Sequence, residues 1–354
     1  DRDVTGVQTC ALPIWDLNAK ISPISVHGIG IENIGHLAYV LREEMDRQIL
    51  IIASNEIKAK RIYEDLRNFE SSYVEFFPSR EVVFYDIEAS SYETMHNRIN
   101  VQSRLVKEEK IVVVTYIEAL LSKILKKEQF KEYTVEISFG DTVDFYNILN
   151  SFVANGYERV ATIEGVGQFS VRGGIIDFFP PYSPNPYRIE LFDDEVDSIR
   201  TFDIESQRSI ENVSSVLITP TREIVIPKEL NEAVAGEMEK ELNSVIAKTK
   251  GNDEVANRLE EKFTKYIETI REGLTVSNVD MVTPYISKEY FGCLIGYLAK
   301  ESIVLIDEPT RVEEDARRVW KEFRFKFDDV YENGELLPRH QNIYFDYNVL
   351  VNEI

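Results

Sequence analysis

Short runs of wholly apolar residues alternate with amphipathic segments in the first third of the chain. Ile49–Ala53 and Ile111–Thr115 have the composition of buried strands, and Glu56–Phe69 carries apolar residues at helical spacing. Strands that alternate with helices predict a parallel sheet, because parallel strands need a crossover connection. A helix is also expected at Ile117–Leu125, and the pattern returns at Ser302–Ile306, which an acidic helix from Arg311 to Phe323 follows. We therefore predict an α/β chain whose first and last parts pack together.

The middle of the chain has a different pattern. Between Val135 and Ile226, a helix that ends before Gly156 precedes short strands, the first at Phe169–Phe178, separated by turn residues such as Pro180–Pro186. This pattern predicts a small β-rich α+β domain inserted into the α/β part. The charged segment that follows, Lys228–Gly273, predicts a helical hairpin.

Composition restricts the class of partner. The 354 residues include 62 acids and 40 bases, a net charge of −22. Because the average field repels phosphates, we expect little intrinsic nucleic-acid binding and favour protein partners, although a local basic patch stays open. No apolar run reaches the ~18 residues of a membrane span. The two cysteines lack metal-ligand spacing, which predicts no metal site and a reducing, cytoplasmic compartment.

Both ends of the chain are expected to be non-native boundaries. Asp1–Trp15 has neither a helical nor a strand period and resembles an adapter-derived leader peptide. The sequence stops at Ile354 without a closing signal. We expect a piece of a longer protein that carries a non-native leader at residues 1–15.

A glycine-containing segment, His27–Leu37, lies where a P-loop would lie, between a strand and a helix. A P-loop needs G-x-x-x-x-G-K-[S/T], because backbone N–H groups surround the phosphates, the lysine neutralises them and the hydroxyl binds magnesium. With Gly30 and Gly35 as the two glycines, His36 takes the lysine position and Leu37 the hydroxyl position. Neither side chain can perform that chemistry at pH 7.

The second possible register of this segment also fails. It begins at Gly28 and places Asn33, Ile34 and Gly35 at the last three motif positions, while Glu32 would add negative charge inside the phosphate cradle. Two interpretations follow, a degenerate nucleotide site and a plain glycine-containing turn from strand to helix. The plain turn accounts for the residues better.

An apolar strand ending in Asp307 and Glu308 resembles the other half of a nucleotide site. A P-loop ATPase holds magnesium and the attacking water at such a strand end. Without a lysine and a hydroxyl opposite, these carboxylates do not make a site. We therefore expect no catalytic residue, no bound cofactor and no ATP hydrolysis in this chain.

The most specific stretch of the sequence is Gly156–Pro227. It contains QFSVRGGIIDFFP, NPYRIELFDDEVDSIRTFD and SQRSIENV in this order. The stretch closely resembles domain 2 of the bacterial transcription-repair coupling factor family (Mfd), and less closely the matching domain of UvrB. The resemblance extends over roughly Ile24–Ile354.

This resemblance implies a degenerate P-loop (RecA/UvrB-like) parallel sheet with an inserted domain. It divides the chain into residues 16–133 as UvrB-like domain 1a, residues 134–226 as the UvrA-binding domain 2, and residues 227–354 as a domain 1b-like part. The implied function is a non-catalytic module that recruits UvrA, the damage-recognition ATPase, in transcription-coupled nucleotide excision repair. RNA polymerase binding and ATP-dependent translocation on double-stranded DNA would belong to other parts of the family's proteins.

Two other functions stay open as alternatives. A UvrB-like, ATP-dependent DNA-processing enzyme would need an intact P-loop and a long tyrosine-rich hairpin, and the stretch Phe76–Arg98 looks too short to hold that hairpin. A DNA-binding module is the third hypothesis. The absent lysine and the acidic charge favour the adaptor.

The candidate partner-binding residues lie on the strands of the inserted domain. Strand alternation in Tyr187–Phe192 puts Arg188, Glu190 and Phe192 on one face. Arg172 joins that face if its strand pairs in the matching register. The resemblance implies UvrA contacts for Arg172, Arg188 and Phe192, with acidic support near Glu190. The alternative is that the arginines pair with nearby acids and Phe192 covers a small apolar cluster.

Overall fold

The computed structural model describes residues 3–5, 16–80, 82, 84, 92–249, 253–274, 276 and 278–351. Most of the expected leader at residues 1–15 lies outside the described residues. So do residues 81, 83 and 85–91, which belong to the stretch predicted to be too short for a DNA-clamping hairpin. Across the described ranges, no helix is long and apolar enough to cross a membrane.

The regular elements are short strands and helices of very different lengths. The strands are β1 (Asp3–Thr5), β2 (Ser25–His27), β3 (Ile49–Ala53), β4 (Val74–Phe77), β5 (Val112–Tyr116), β6 (Ile124–Leu125), β7 (Val135–Ser138), β8 (Glu158–Arg159), β9 (Gln168–Arg172), β10 (Ile175–Phe178), β11 (Tyr187–Phe192), β12 (Glu195–Phe202), β13 (Ser209–Asn212), β14 (Ser215–Ile218), β15 (Phe291–Gly292) and β16 (Ile303–Ile306). The helices are α1 (Ile31–Met45), α2 (Glu56–Phe69), α3 (Tyr92–Val106), α4 (Ile117–Leu121), α5 (Lys127–Glu132), α6 (Phe145–Ala154), α7 (Asn231–Lys248), α8 (Asp253–Arg271), α9 (Pro309–Glu332) and α10 (Tyr347–Val351).

A four-stranded parallel sheet is built from both ends of the described chain. Its order is β16-β3-β5-β4, with Ile303 opposite Ile49 and Ile49 opposite Val112. Every residue of β3 and β5 is buried, which explains why these strands are apolar on both faces. The predicted mixed α/β class is confirmed, and the late strand β16 completes a sheet that begins early in the sequence.

The middle segment forms a separate antiparallel sheet with its own core. Its strand order is β13-β12-β11-β10-β9-β8, and only the β8–β9 pair is parallel. Helix α6 covers one side, where the Phe152 ring stacks on Phe169 with centroids 5.0 Å apart. The run from Phe169 to Phe178, predicted as one strand, is two strands joined at Gly173–Gly174, because Gly173 adopts a left-handed φ of 63° that permits a tight turn.

Two helical predictions needed correction. The predicted helix Ile117–Leu125 ends at Leu121, and Ile124 and Leu125 instead pair with β15. Helix α9, predicted to end at Phe323, continues to Glu332 because its buried apolar side continues. Its buried residues, at helical spacing, are Val312, Ala316, Val319, Phe323, Phe327 and Val330.

A buried polar network connects two parts of the molecule. It links the segment that follows the small sheet, at Glu223, with the part that contains the parallel sheet. Glu223 accepts hydrogen bonds from Arg98 Nε at 2.7 Å and from Gln102 Nε2 at 3.0 Å. Arg80 Nη2 lies 2.6 Å from Asp280 Oδ1. Burial lowers the pKa of Arg98, and burial also raises the pKa of Asp280. Since a buried charge without a partner is costly, these pairs hold four distant segments in one arrangement.

Candidate partner-binding site

Four strands of the small sheet bring a row of polar residues to one face. Across β9, β10, β11 and β12 the register places Ser170, Asp177, Arg188 and Arg200 opposite one another in turn. Directly opposed residues of an antiparallel pair point to the same side of the sheet. Strand β10 lies between the two strands that carry the predicted arginines, so Arg172 and Arg188 are related through β10 and do not oppose each other.

Asp177 is the residue that organises this row, and sequence reasoning did not single it out. Its carboxylate is 2% exposed and accepts hydrogen bonds from Arg188 Nε at 2.6 Å and Nη2 at 2.9 Å. Arg172 Nη2 donates to the same carboxylate at 2.7 Å. The only sequence signal for this role is one acid in the otherwise apolar run of β10.

The side chains of Arg172 and Arg188 differ in how much of their surface a partner could contact. The Arg188 side chain is 15% exposed and its guanidinium lies 4.6 Å from the centroid of the Phe202 ring. Its hydrogen bond to Asp177 raises the pKa of Arg188. The Arg172 side chain is 52% exposed. Arg188 is therefore an internal anchor, whereas Arg172 presents half of its surface to solvent.

Glu190 is also paired inside the sheet. It forms an ion pair with Arg200 of β12 and accepts a hydrogen bond from Ser198 Oγ at 3.0 Å. Arg200 was not among the predicted site residues. Together Arg172, Asp177, Arg188, Glu190 and Arg200 form what we call the arginine face, in which each charge has a partner of opposite sign.

Phe192 ends strand β11 at the edge of the arginine face. Its side chain is 79% exposed, and its backbone lies opposite Glu195. The register shifts between Glu190 and Leu191, where Leu191 N donates to the Gly174 carbonyl at 2.8 Å. A Cβ on Gly174 would lie 2.8 Å from the Leu191 oxygen, so a glycine is needed for this close approach. The structural alternative therefore holds for the two arginines, which pair with Asp177, but not for Phe192, which is exposed and does not cover an apolar cluster.

The nucleotide-like segment folds as a short turn followed by a helix. Gly28 and Gly30 lie between β2 and α1, and helix α1 already begins at Ile31. Gly35, His36 and Leu37 consequently lie inside the helix. A Cβ on Gly35 would touch Leu66 of α2 at 3.4 Å.

The neighbours of His36 and Leu37 are apolar. The His36 ring lies 5.8 Å from the Phe69 ring, and Leu37 is buried in the core. A glycine-containing turn from strand to helix describes this segment. Leu37, at the hydroxyl position, is buried, whereas His36, at the lysine position, is exposed and lies near Phe69 of α2.

Asp307 and Glu308 follow β16 at the carboxyl edge of the parallel sheet. Lys58, from the first turn of α2, lies with its Nζ 3.6 Å from Asp307 Oδ2 and also forms an ion pair with Glu308. The hydrogen bond from Lys58 lowers the pKa of Glu308. One turn further along α2, Arg61 pairs with Glu32 at 2.8 Å. Asp307, Glu308 and Glu32 are thus paired with cations of α2.

Comparison with known proteins agrees with the motifs of the small sheet. Residues 135–224 match the family model of the UvrB interaction domain. The chain is 30% identical over 298 residues to the transcription-repair-coupling factor of Bacillus subtilis, which covers 84% of this chain and 25% of that relative. The corresponding proteins of Staphylococcus haemolyticus and Staphylococcus aureus are each 29% identical, over 81% and 82% of this chain.

The resemblance predicted from the sequence is therefore confirmed. The chain spans about a quarter of the length of the curated relatives that it matches. The UvrB interaction domain coincides with the antiparallel sheet, its helix α6 and the β7–β14 pair, so it contains the complete arginine face and Phe192.

Proposed function

We propose that this relative of transcription-repair-coupling factors is a docking module that recruits UvrA in transcription-coupled nucleotide excision repair. The exposed Phe192 at the edge of the arginine face carries the proposal. Aromatic and arginine side chains are enriched in binding hot spots, and covering a phenyl ring that is 79% exposed removes apolar surface from water, which is favourable.

The arginine face is held in one conformation by its ion pairs, and this rigid surface lies beside Phe192. Because Asp177 holds both arginines, the guanidinium of Arg172 needs little ordering when a partner arrives. The bulge at Leu191 and the close contact with Gly174 place the end of β11 in one conformation. We assign the main UvrA contacts to Phe192 and Arg172. We assign to Arg188 and Glu190 the role of holding that surface in place.

We further propose that the parallel-sheet part is a degenerate P-loop scaffold without nucleotide hydrolysis. Its proposed divisions are domain 1a at residues 16–133, domain 2 at 134–226 and a domain 1b-like part at 227–354. The separate cores and the strand pairing of β16 with β3 support this division. RNA polymerase binding and motion along double-stranded DNA are assigned to the remaining three quarters of such proteins, in a cytoplasmic setting.

The proposal is tested by measuring the affinity of the chain for Bacillus subtilis UvrA by biolayer interferometry. Phe192→Ala is expected to weaken binding about tenfold or more, and Arg172→Ala by about three- to tenfold. Ile210→Ala is the matched control, because Ile210 is an exposed apolar residue on the edge strand of the same sheet. UvrA binding that is absent from the unmodified chain, or unchanged by Phe192→Ala, would refute the proposal.

A further inference from the structure

A second exposed phenylalanine lies in the turn that precedes helix α6. Asp141 N donates to the Ser138 carbonyl at 3.1 Å, which closes a four-residue turn with Phe139 and Gly140 at its centre. Gly140 has a φ of 81°, as the third position of a type II turn requires. Phe139 is 66% exposed at the corner of this turn. Turn corners are usually polar, so an apolar ring held there calls for a role outside the core.

Helix α6 is apolar on two sides. One side packs Ile148 and Phe152 into the core of the small sheet. Tyr146 points elsewhere and is 75% exposed, although it lies in the first turn of the helix. A helix needs only one apolar stripe to pack on a sheet, so the exposed ring is surplus to folding.

Backbone contacts bring this turn and the start of α6 beside Phe192. Gly140 N donates to the Val196 carbonyl at 2.9 Å, and Val143 N donates to the Asp194 carbonyl at 2.8 Å. Thr142 bridges to Glu195, which itself lies opposite Phe192. Two strand spacings separate Phe192 from Thr142, about 10 Å. Phe139 and Tyr146 flank Thr142 in the sequence, so both residues lie at the same end of the sheet as Phe192, and we call the three residues the aromatic patch.

The two chain segments that carry the aromatic patch bear only negative charges. No lysine or arginine occurs between Lys131 and Arg159, or between Arg188 and Arg200. The exposed acids at this end of the sheet are Asp141, Asp144, Asp193, Asp194, Glu195 and Asp197. A partner surface complementary to the aromatic patch therefore carries apolar groups flanked by cations, whereas a partner surface complementary to the arginine face carries anions.

We propose that the aromatic patch is a second half of the UvrA-docking surface, and that it receives an apolar pocket of UvrA lined by lysine or arginine. This inference rests on the proposed function. Phe192 belongs to both halves, so the partner covers a continuous surface with guanidinium groups on one side and carboxylates on the other. The opposite signs fix the orientation in which UvrA docks.

The double variant Phe139→Ser with Tyr146→Ser tests the inference. Because neither side chain contributes to the core, the thermal unfolding midpoint is expected to stay unchanged. Affinity for Bacillus subtilis UvrA is expected to fall about tenfold. Ile210→Ser, an exposed apolar residue at the far edge of the sheet, is expected to change affinity less than about twofold.

Charge reversal at Asp194 and Glu195 gives an independent measurement. The double change to lysine is expected to slow association with UvrA at low ionic strength, and the difference is expected to shrink as salt is added. If Phe192→Ala weakens binding but the Phe139 and Tyr146 variant binds like the unmodified chain, the aromatic patch is excluded while UvrA docking stands. If sedimentation shows that the unmodified chain is a dimer and that the Phe139 and Tyr146 variant is a monomer, the patch is a self-association surface and the inference is wrong.

Discussion

The carboxyl edge of the parallel sheet and the arginine face of the small sheet both looked like sites of charge recognition, but they use charge differently. At the sheet edge, Lys58 and Arg61 are paired with Glu308 and Glu32. On the arginine face, Asp177 likewise binds both arginines, yet Phe192 extends beyond these pairs into solvent. Internal ion pairs hold a surface in one conformation, whereas we propose that the exposed ring beside them supplies the binding free energy.

The largest expected effect concerns the anchor of the arginine face. Asp177→Ala leaves Arg188 without its carboxylate in a half-buried position, and we expect unfolding free energy to fall by about 3 kcal/mol. Urea unfolding followed by circular dichroism measures this loss. Asp197→Ala, an exposed acid on β12, is expected to stay within about 0.5 kcal/mol of the unmodified chain. Equal stability of the two variants would remove the anchoring role of Asp177.

A repaired motif tests the other half of the comparison. His36→Lys with Leu37→Thr restores the residue types of a P-loop in the Gly30–Gly35 register. Because α1 begins at Ile31, both positions lie in its second turn and away from the helix N-terminus that would hold a phosphate, so we expect no Mg-ATP binding by calorimetry. We also expect a loss of about 1–2 kcal/mol from replacing buried Leu37. His36→Lys alone is the control for the charge change. Micromolar Mg-ATP binding by the repaired chain would mean that the segment can still form a phosphate loop.

The smallest expected effect concerns Lys58 at the sheet edge. Lys58 lowers the pKa of Glu308 from its ordinary value of 4.5, so its stabilising effect is present above that value and is lost as pH falls through the folded-state pKa. In Lys58→Met this pH dependence is expected to vanish, and the unfolding midpoint near neutral pH to fall by about 1–2 °C.

Melting curves of the Lys58 variant between pH 3 and 7 measure this effect. Lys60→Met is the matched control, since Lys60 makes only an exposed pair with Glu56 on the same helix. If both variants show the same pH profile, Lys58 has no special relation to the strand-end acids.

The local periodicity of apolar residues predicted a large part of the fold. Wholly apolar runs indicated β3 and β5, because strands buried on both faces need no polar side, and a similar run indicated the half-buried edge strand β16. Alternation also put Arg188, Glu190 and Phe192 on one face of β11. The ends of elements were less predictable. The helix expected through Leu125 stopped at Leu121 because its last residues pair with β15, a partner distant in sequence.

The sequence by itself determined the alternation of strands and helices, the insertion of a β-rich segment and the motifs that carry the family resemblance. Only the tertiary structure decided which charges meet. Asp177 joins Arg172 and Arg188, Lys58 meets Asp307 and Glu308, and Arg98 meets Glu223 within the core. The reason is that periodicity reports which side of an element is buried, whereas an ion pair depends on the register and packing of elements far apart in the chain. The aromatic patch belongs to this second class, because backbone bonds between residues 140–143 and residues 194–196 place Phe139 and Tyr146 at the same end of the sheet as Phe192.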